Sequence, residues 1–295
     1  MLSKDILKTV SRIEFSVRGP LDSMMAGAYH SSFKGNGVEF SEVREYVPGD
    51  DVRTIDWNVT ARMGTPYIKK FVEERELTLM LMVDASSSSE FGSGKEMKGE
   101  VMAAITALLS FAAVRNGDKV GLLIFTDQVE LFIPPAKGRK HVLRLIREIL
   151  YFKPSHHGTD LESALEYVGG VLNRRSMIVV LSDFQDSGFE KAFKILCKRH
   201  DMLAVSVTDP RESELPPVGL VELEDPETGE TMLVDTGDAA FREAFAHEAR
   251  KAEKQTRSLF QKINVDYVRC QIQDAFRDTV NPLVEHFRML SRRRS

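Results

Sequence analysis

From residue 76 onward the chain alternates short, almost wholly apolar runs with longer stretches of helical spacing. The first run, Leu77 to Val83, is hydrophobic at nearly every position, as a strand buried on both faces requires. Behind it, MKGEVMAAITALLSFAAV predicts a helix over about 96–115, and Val120 to Phe125 a second strand. Only Thr126-Asp127-Gln128 separates that strand from Val129 to Ile133, and so tight a link forces an antiparallel pair. Helices follow at about 138–150 and 160–172, the second opened by Gly158-Thr159-Asp160. The apolar strand Ser176 to Leu181 runs into Ser182-Asp183, and a helix at about 188–198 leads to the strand Leu203 to Val207. A hairpin pairs Val218 to Leu223 with Thr231 to Val234, and helices at about 238–262 and 275–290 flank a strand at Val265 to Val268.

Such βα alternation predicts an α/β fold built on a doubly wound, mostly parallel sheet. Ligands in that architecture sit beyond the carboxyl ends of the strands, where the strand order reverses. The first 75 residues read differently: a short amphipathic helix near 3–14, a Gly-rich stretch from Lys34 to Gly37, then VPGDD at 47–51, with turns and short strands dominating. Pro48-Gly49 suits the centre of a type II turn, and Asp50 or Asp51 is placed to cap a short helix carrying Val52, Ile55 and Val59. The sequence therefore divides into an accessory segment, 1–75, and a sheet domain, 76–295, with a hairpin at about 218–234. Asp50, Asp51, Arg53, Asp56, Trp57 and Arg62 suggest either a charged docking surface or an ion-pair network pinning the segment to the sheet domain. Trp57, the only tryptophan, is expected in the core.

Composition narrows the function. With 42% apolar and 28% charged residues in 295, the chain is an ordinary globular protein, which excludes disorder and collagen-like repeats. A formal charge of -4 provides no general basic field for phosphate backbones, so no nucleic-acid partner is expected. The two cysteines, Cys197 and Cys270, have no CxxC or Cys/His spacing, which points away from disulfides and structural zinc. No run approaches the roughly 18 apolar residues of a membrane span, so a cytoplasmic protein without membrane insertion is expected.

Candidate chemistry gathers at strand ends. Asp84-Ala85-Ser86-Ser87-Ser88 closes the first strand, and on an extended backbone a carboxylate and two hydroxyls at i, i+2 and i+4 share one side. Hard oxygens with open positions suit Mg2+, or Mn2+, better than zinc. Thr159, in the turn opening a helix, and Asp183, directly after an apolar strand, belong at the same edge of the sheet.

In these five positions the sequence resembles the von Willebrand factor type A domain, whose metal-ion-dependent adhesion site combines D-x-S-x-S with a threonine and an aspartate from later loops. The resemblance implies that Asp84, Ser86, Ser88, Thr159 and Asp183 hold the metal, with the two serine hydroxyls as direct ligands and either aspartate direct or through water. It also implies one metal position left for an acidic side chain of a partner. Upstream, GNGVEFSEVREYVPGDDVRTIDWNVTARMGTPYIKKFVEERE (35–76) is similar to the signature of the bacterial family called domain of unknown function 58, the likeness covering about residues 30–210. That family implies a MoxR-type AAA+ ATPase as partner and a non-catalytic adaptor role in protein maturation or remodelling. Many relatives carry N-terminal membrane helices, which are not seen here, and a methionine often stands where this chain has Ser89.

Other signals carry less. Phe91-Gly92-Ser93-Gly94-Lys95 is close to a phosphate-binding loop, but Ser89 stands at the motif's first position and Glu96 in its Ser/Thr slot. His156-His157 reads as a solvated loop, since a hard cation has little use for imidazole. Asp84 at a strand end also resembles the start of an aspartate-dependent phosphatase, which makes a metal-dependent phosphoryl hydrolase the alternative function. That chemistry wants a second acid two residues on, where this chain has Ser86, and no G-x-S-x-G elbow is present.

Overall fold

The computed structural model describes residues 39–72, 77–92, 97–224 and 230–294. The expected helix near 3–14, the Gly-rich stretch at 34–37 and most of the phosphate-loop-like stretch lie outside the described residues. Two compact units are present, one within Lys34–Leu77 and one within Thr78–Ser295.

In the smaller unit, strands β1 (Glu39–Glu45) and β2 (Tyr67–Val72) pair antiparallel, with a bulge between Phe40 and Glu42. Between them the Asp50 N–H closes a turn on the Val47 carbonyl at 3.0 Å, with Gly49 at φ 115°, a left-handed value that favours glycine. The single helix expected after this turn is two. Asp51 caps a 3-10 turn over Val52–Thr54, and Asp56 caps helix α1 (Trp57–Met63) through the N–H groups of Asn58 and Val59. The break falls at Ile55, whose backbone is extended and bridges to Ile68. Trp57 is 68% exposed, against the expectation of a core position, and stands as the first residue of α1 directly after the capping Asp56. Asp50 finds its partner inside the same unit: the Arg44 guanidinium grips both its oxygens, at 2.7 and 2.9 Å. That hydrogen bonding, together with the Val47 N–H, holds the Asp50 carboxyl below the usual range.

The larger unit is built on a six-stranded sheet. Its strands are β3 (Thr78–Asp84), β4 (Lys119–Phe125), β5 (Val129–Ala136), β6 (Met177–Ser182), β7 (Asp201–Thr208) and β10 (Asp266–Gln271), in the order β10-β7-β6-β3-β4-β5. Every neighbouring pair is parallel except β4–β5. The antiparallel pair follows from the three-residue link between β4 and β5, as the spacing predicts. Strands β8 (Leu220–Glu224) and β9 (Thr231–Asp235) form a separate hairpin.

Strand β3 is buried on both faces, and its alternating residues serve two layers. Met80 and Met82 join a core with helices α4 (Leu161–Val171) and α5 (Glu190–Leu196) and with Phe260 of helix α6 (Ala239–Lys262). On α2 (Lys98–Arg115), nearly every side chain is buried, and the helix packs against α3 (Arg139–Leu150) and reaches β3, β4 and β7. A helix this apolar all round belongs in an interior. The last helix, α7 (Phe276–Arg294), packs on β10. After β3 the chain builds β4 and β5 on one side and then returns to place β6 on the other, so the order reverses between β3 and β6. The crevice beyond their carboxyl ends is the place where this architecture binds ligands.

Candidate functional site

Asp84 ends β3 at that reversal and is 2% exposed. Register puts Val83 opposite Leu181, which brings Ser182 beside Asp84. The Ser182 hydroxyl donates to Asp84 Oδ2 at 2.6 Å, and the Ser86 N–H donates to Oδ1 at 3.0 Å. Burial, and then the nearby charge of Asp183, push the Asp84 carboxyl up to about 6, against the pull of these two donors.

The chain does not stay extended past Asp84, as the i, i+2, i+4 argument assumed. Strand β3 stops there, and Ser87–Glu90 form a 3-10 turn. On a strand, hydroxyls two residues apart would stand nearly 7 Å from each other. The turn instead brings Ser86 Oγ and Ser88 Oγ to 3.1 Å.

The loop carrying Thr159 is fastened to this turn. The Ser87 N–H donates to the His157 carbonyl at 3.2 Å, and Ser87 Oγ lies 3.0 Å from His157 Nδ1. On the other side of Thr159, the Asp160 N–H donates to the Thr126 carbonyl at 2.9 Å. Glu130 braces the same loop by accepting from the N–H groups of Ser155 and His156, at 2.9 and 3.0 Å. His157 is exposed, yet it is a loop fastener and not merely a solvated residue.

Asp183 follows β6, and the residue after it turns sharply. Phe184 has φ 58°, a left-handed value that costs a bulky residue roughly 1–2 kcal/mol. Edge-on packing against Phe260, with centroids 4.9 Å apart, and an N–H donated to Ser182 Oγ hold it there. Asp186 then accepts from the Leu161 N–H at 2.9 Å, so the Asp183 loop is tied to the start of α4, two residues beyond Thr159. The three loops carrying Asp84, Ser86, Ser88, Thr159 and Asp183 thus meet at one rim.

Sequence reasoning missed Lys98. Its side chain is 0% exposed, and its ammonium donates to Asp183 Oδ2 at 2.9 Å and to Glu212 Oε1 at 2.6 Å. Burial pulls this ammonium down, but the charges of Asp183 and Glu212 outweigh burial and raise it above its ordinary value. A cation in the first turn of a helix opposes the macrodipole, so the two acids must offset both costs. Glu212 is fixed in turn by a capping box, its Oε2 accepting from the Asp209 N–H at 2.9 Å. A signal existed: Lys98 falls on the same helical stripe as the buried Val101, Met102 and Ile105. Ser182 and Glu212 carried no comparable mark.

The donor set fits a hard cation. Among the described residues no group of three or more His, Cys, Asp or Glu side chains converges as a metal cluster, so an ion here would rest on hydroxyl oxygens as well as carboxylates. Adjacent oxygens in an octahedral shell with bonds of ~2.1 Å lie about 3.0 Å apart, close to the separation of Ser86 Oγ and Ser88 Oγ.

Uncharacterized protein Rv1480 of Mycobacterium tuberculosis (strain H37Rv) is 35% identical over 240 residues, 80% of this chain and 75% of that protein. Among solved structures, an aerotolerance-related membrane protein from Bacteroides fragilis NCTC 9343, bearing multiple mutations to serines, is similar at 16% identity and TM-score 0.49. That likeness covers 74% of this chain and 99% of the other. The SpRpn10 VWA domain is similar at 13% identity and TM-score 0.41, over 70% of this chain and 95% of the other. Among the described residues no helix is long and apolar enough to cross a membrane. Residues 42–255, which take in the PGDD turn, the Asp84 rim and most of α6, match the family described as "Protein of unknown function DUF58", and the chain belongs to that family.

Proposed function

We propose that the chain is a non-catalytic interaction adaptor whose rim of Asp84, Ser86, Ser88, Thr159 and Asp183 holds Mg2+, or Mn2+, and captures an acidic side chain of a protein partner. The observation that carries this reading is the 3.1 Å approach of Ser86 Oγ to Ser88 Oγ at the mouth of the strand-order reversal, beside two carboxylates. Bound there, the ion would offer a coordination position open to one more oxygen ligand. The chain's own residues do the rest: Ser182 and the Ser86 N–H orient Asp84, while the Ser87–His157 and Leu161–Asp186 bonds keep the three loops in register. Family resemblance makes a MoxR-type AAA+ ATPase the expected partner, in protein maturation or remodelling.

A phosphoryl hydrolase built on Asp84 is less well supported. A nucleophilic carboxylate must be reached by substrate, whereas Asp84 is 2% exposed, and two positions on, where that chemistry wants a second acid, stands Ser86. Affinity capture from native extract tests the adaptor reading. Partner recovery should require Mg2+ and be lost in Asp84→Ala and Ser86→Ala chains that still melt cooperatively. Recovery unchanged by EDTA and by both substitutions would sink it.

A further inference from the structure

The following inference rests on the cation reading above. At the rim Lys98 pairs with Asp183 and Glu212, and Asp84 lies close enough to Asp183 to feel its charge. Lys98 and Glu212 have no place in the Asp-Ser-Ser-Thr-Asp pattern, yet Lys98 is the most buried charge at the site. Ionised, the four groups carry two net negative charges, which a divalent cation cancels. Without the ammonium these groups and the ion together would keep one negative charge, which works against an acidic side chain. Lys98 also occupies Asp183 Oδ2, leaving Oδ1, which accepts only a long 3.3 Å contact from the Gln185 N–H, as the oxygen better placed for an ion.

We propose that Lys98 sets the selectivity of the rim: by holding Asp183 and Glu212 it makes the site a weak binder of a divalent cation alone and a receptive one for an acidic partner. Lys98 would be a positioning residue, since its burial keeps it from touching either ligand's solvent side. Glu212 works with it by drawing part of the ammonium's charge away from Asp183.

The test is Mn2+ titration of the full chain, following the free-ion signal by electron paramagnetic resonance. Lys98→Met should bind Mn2+ at least tenfold more tightly than the wild type. Glu212→Gln, which leaves Lys98 to Asp183 alone, should bind it severalfold more weakly. A lysine that merely holds the loops together predicts weaker binding in both variants, so the opposite signs separate the two roles. Equal or weaker binding by a folded Lys98→Met overturns the proposal. Should that variant not fold, unchanged or tighter binding by Glu212→Gln overturns it. Binding lost in Asp84→Ala but unmoved by both substitutions keeps the cation site and refutes only the role of Lys98. No Mn2+ binding by any of the chains, the wild type included, defeats the cation site and this proposal together.

Discussion

The two carboxylates of the rim are held in opposite ways. Asp84 is buried among neutral donors from Ser182 and Ser86, and among the described residues no cation pairs with it. Asp183, at the end of the neighbouring strand, is paired directly with a buried ammonium. Neutral dipoles only partly replace water around a buried charge, and so the Asp84 carboxyl is pushed up to about 6. An ammonium cancels charge outright, but at the cost of its own desolvation. The rim therefore has one acid whose charge is stabilised by orientation and one whose charge is stabilised by pairing. Each half fails differently when disturbed.

The largest expected effect is on the paired half. Lys98→Met leaves Asp183 and Glu212 without their cation in a dry setting, and removing one partner of a buried pair typically costs about 3–5 kcal/mol. Because the Glu212 side chain is 20% exposed and can rehydrate, the lower end is expected. Urea unfolding in EDTA measures it. The double variant with Glu212→Gln should recover part of the loss, since one stranded charge is removed. A loss under about 1 kcal/mol would mean that the pair offers no more than a surface bridge does.

On the oriented half, the lever is pH. An acid whose folded pKa exceeds its unfolded value opposes folding once ionised. For Asp84, the penalty is absent below its ordinary 3.8 and complete above about 6. The metal-free protein should therefore lose stability from this group as pH rises through that window, by an amount on the order of 3 kcal/mol. His200, whose imidazole is held down by burial, works the other way, because protonation on acidification costs stability. The difference between wild type and Asp84→Asn isolates the aspartate: in EDTA, Asp84→Asn should gain on the wild type between pH 4 and 6 and stay ahead above it. A gap that is flat with pH would show that Asp84 pays no desolvation cost.

How much of this was legible follows from the range of the forces involved. Strand and helix order could be read because burial on both faces of β3 and β6 forces continuous apolar runs, and the three-residue link fixed the direction of β5. Asp84 and Asp183 stood out as charges directly after such runs. The convergence of Ser86 with Ser88 was expected for the wrong reason: alternation on a strand was assumed, whereas a 3-10 turn creates it. Lys98 and Glu212 lie 114 residues apart, on elements whose adjacency depends on β7 lying beyond β6, and no local pattern encodes that. Trp57 misled because a lone tryptophan suggests a core, while this one stands exposed at the start of α1.

The smallest expected effect concerns the hinge between the halves and the Thr159 loop. His157→Ala removes the contact of Nδ1 with Ser87 Oγ but keeps the backbone bond from the Ser87 N–H to the His157 carbonyl. The lost bond is exposed to water, which can replace it, so the expected cost is about 0.5 kcal/mol, or roughly 1–2 °C in Tm. Glu130 and Asp186 anchor the same loop from either end without the imidazole. Any rise in Tm on adding Mg2+ should therefore survive the substitution. If instead His157→Ala abolished the Mg2+ effect while leaving the metal-free Tm in place, the position of Thr159 would depend on the imidazole alone. The rim would then have a third kind of hold, a loop fixed to it by a side chain and not by its backbone.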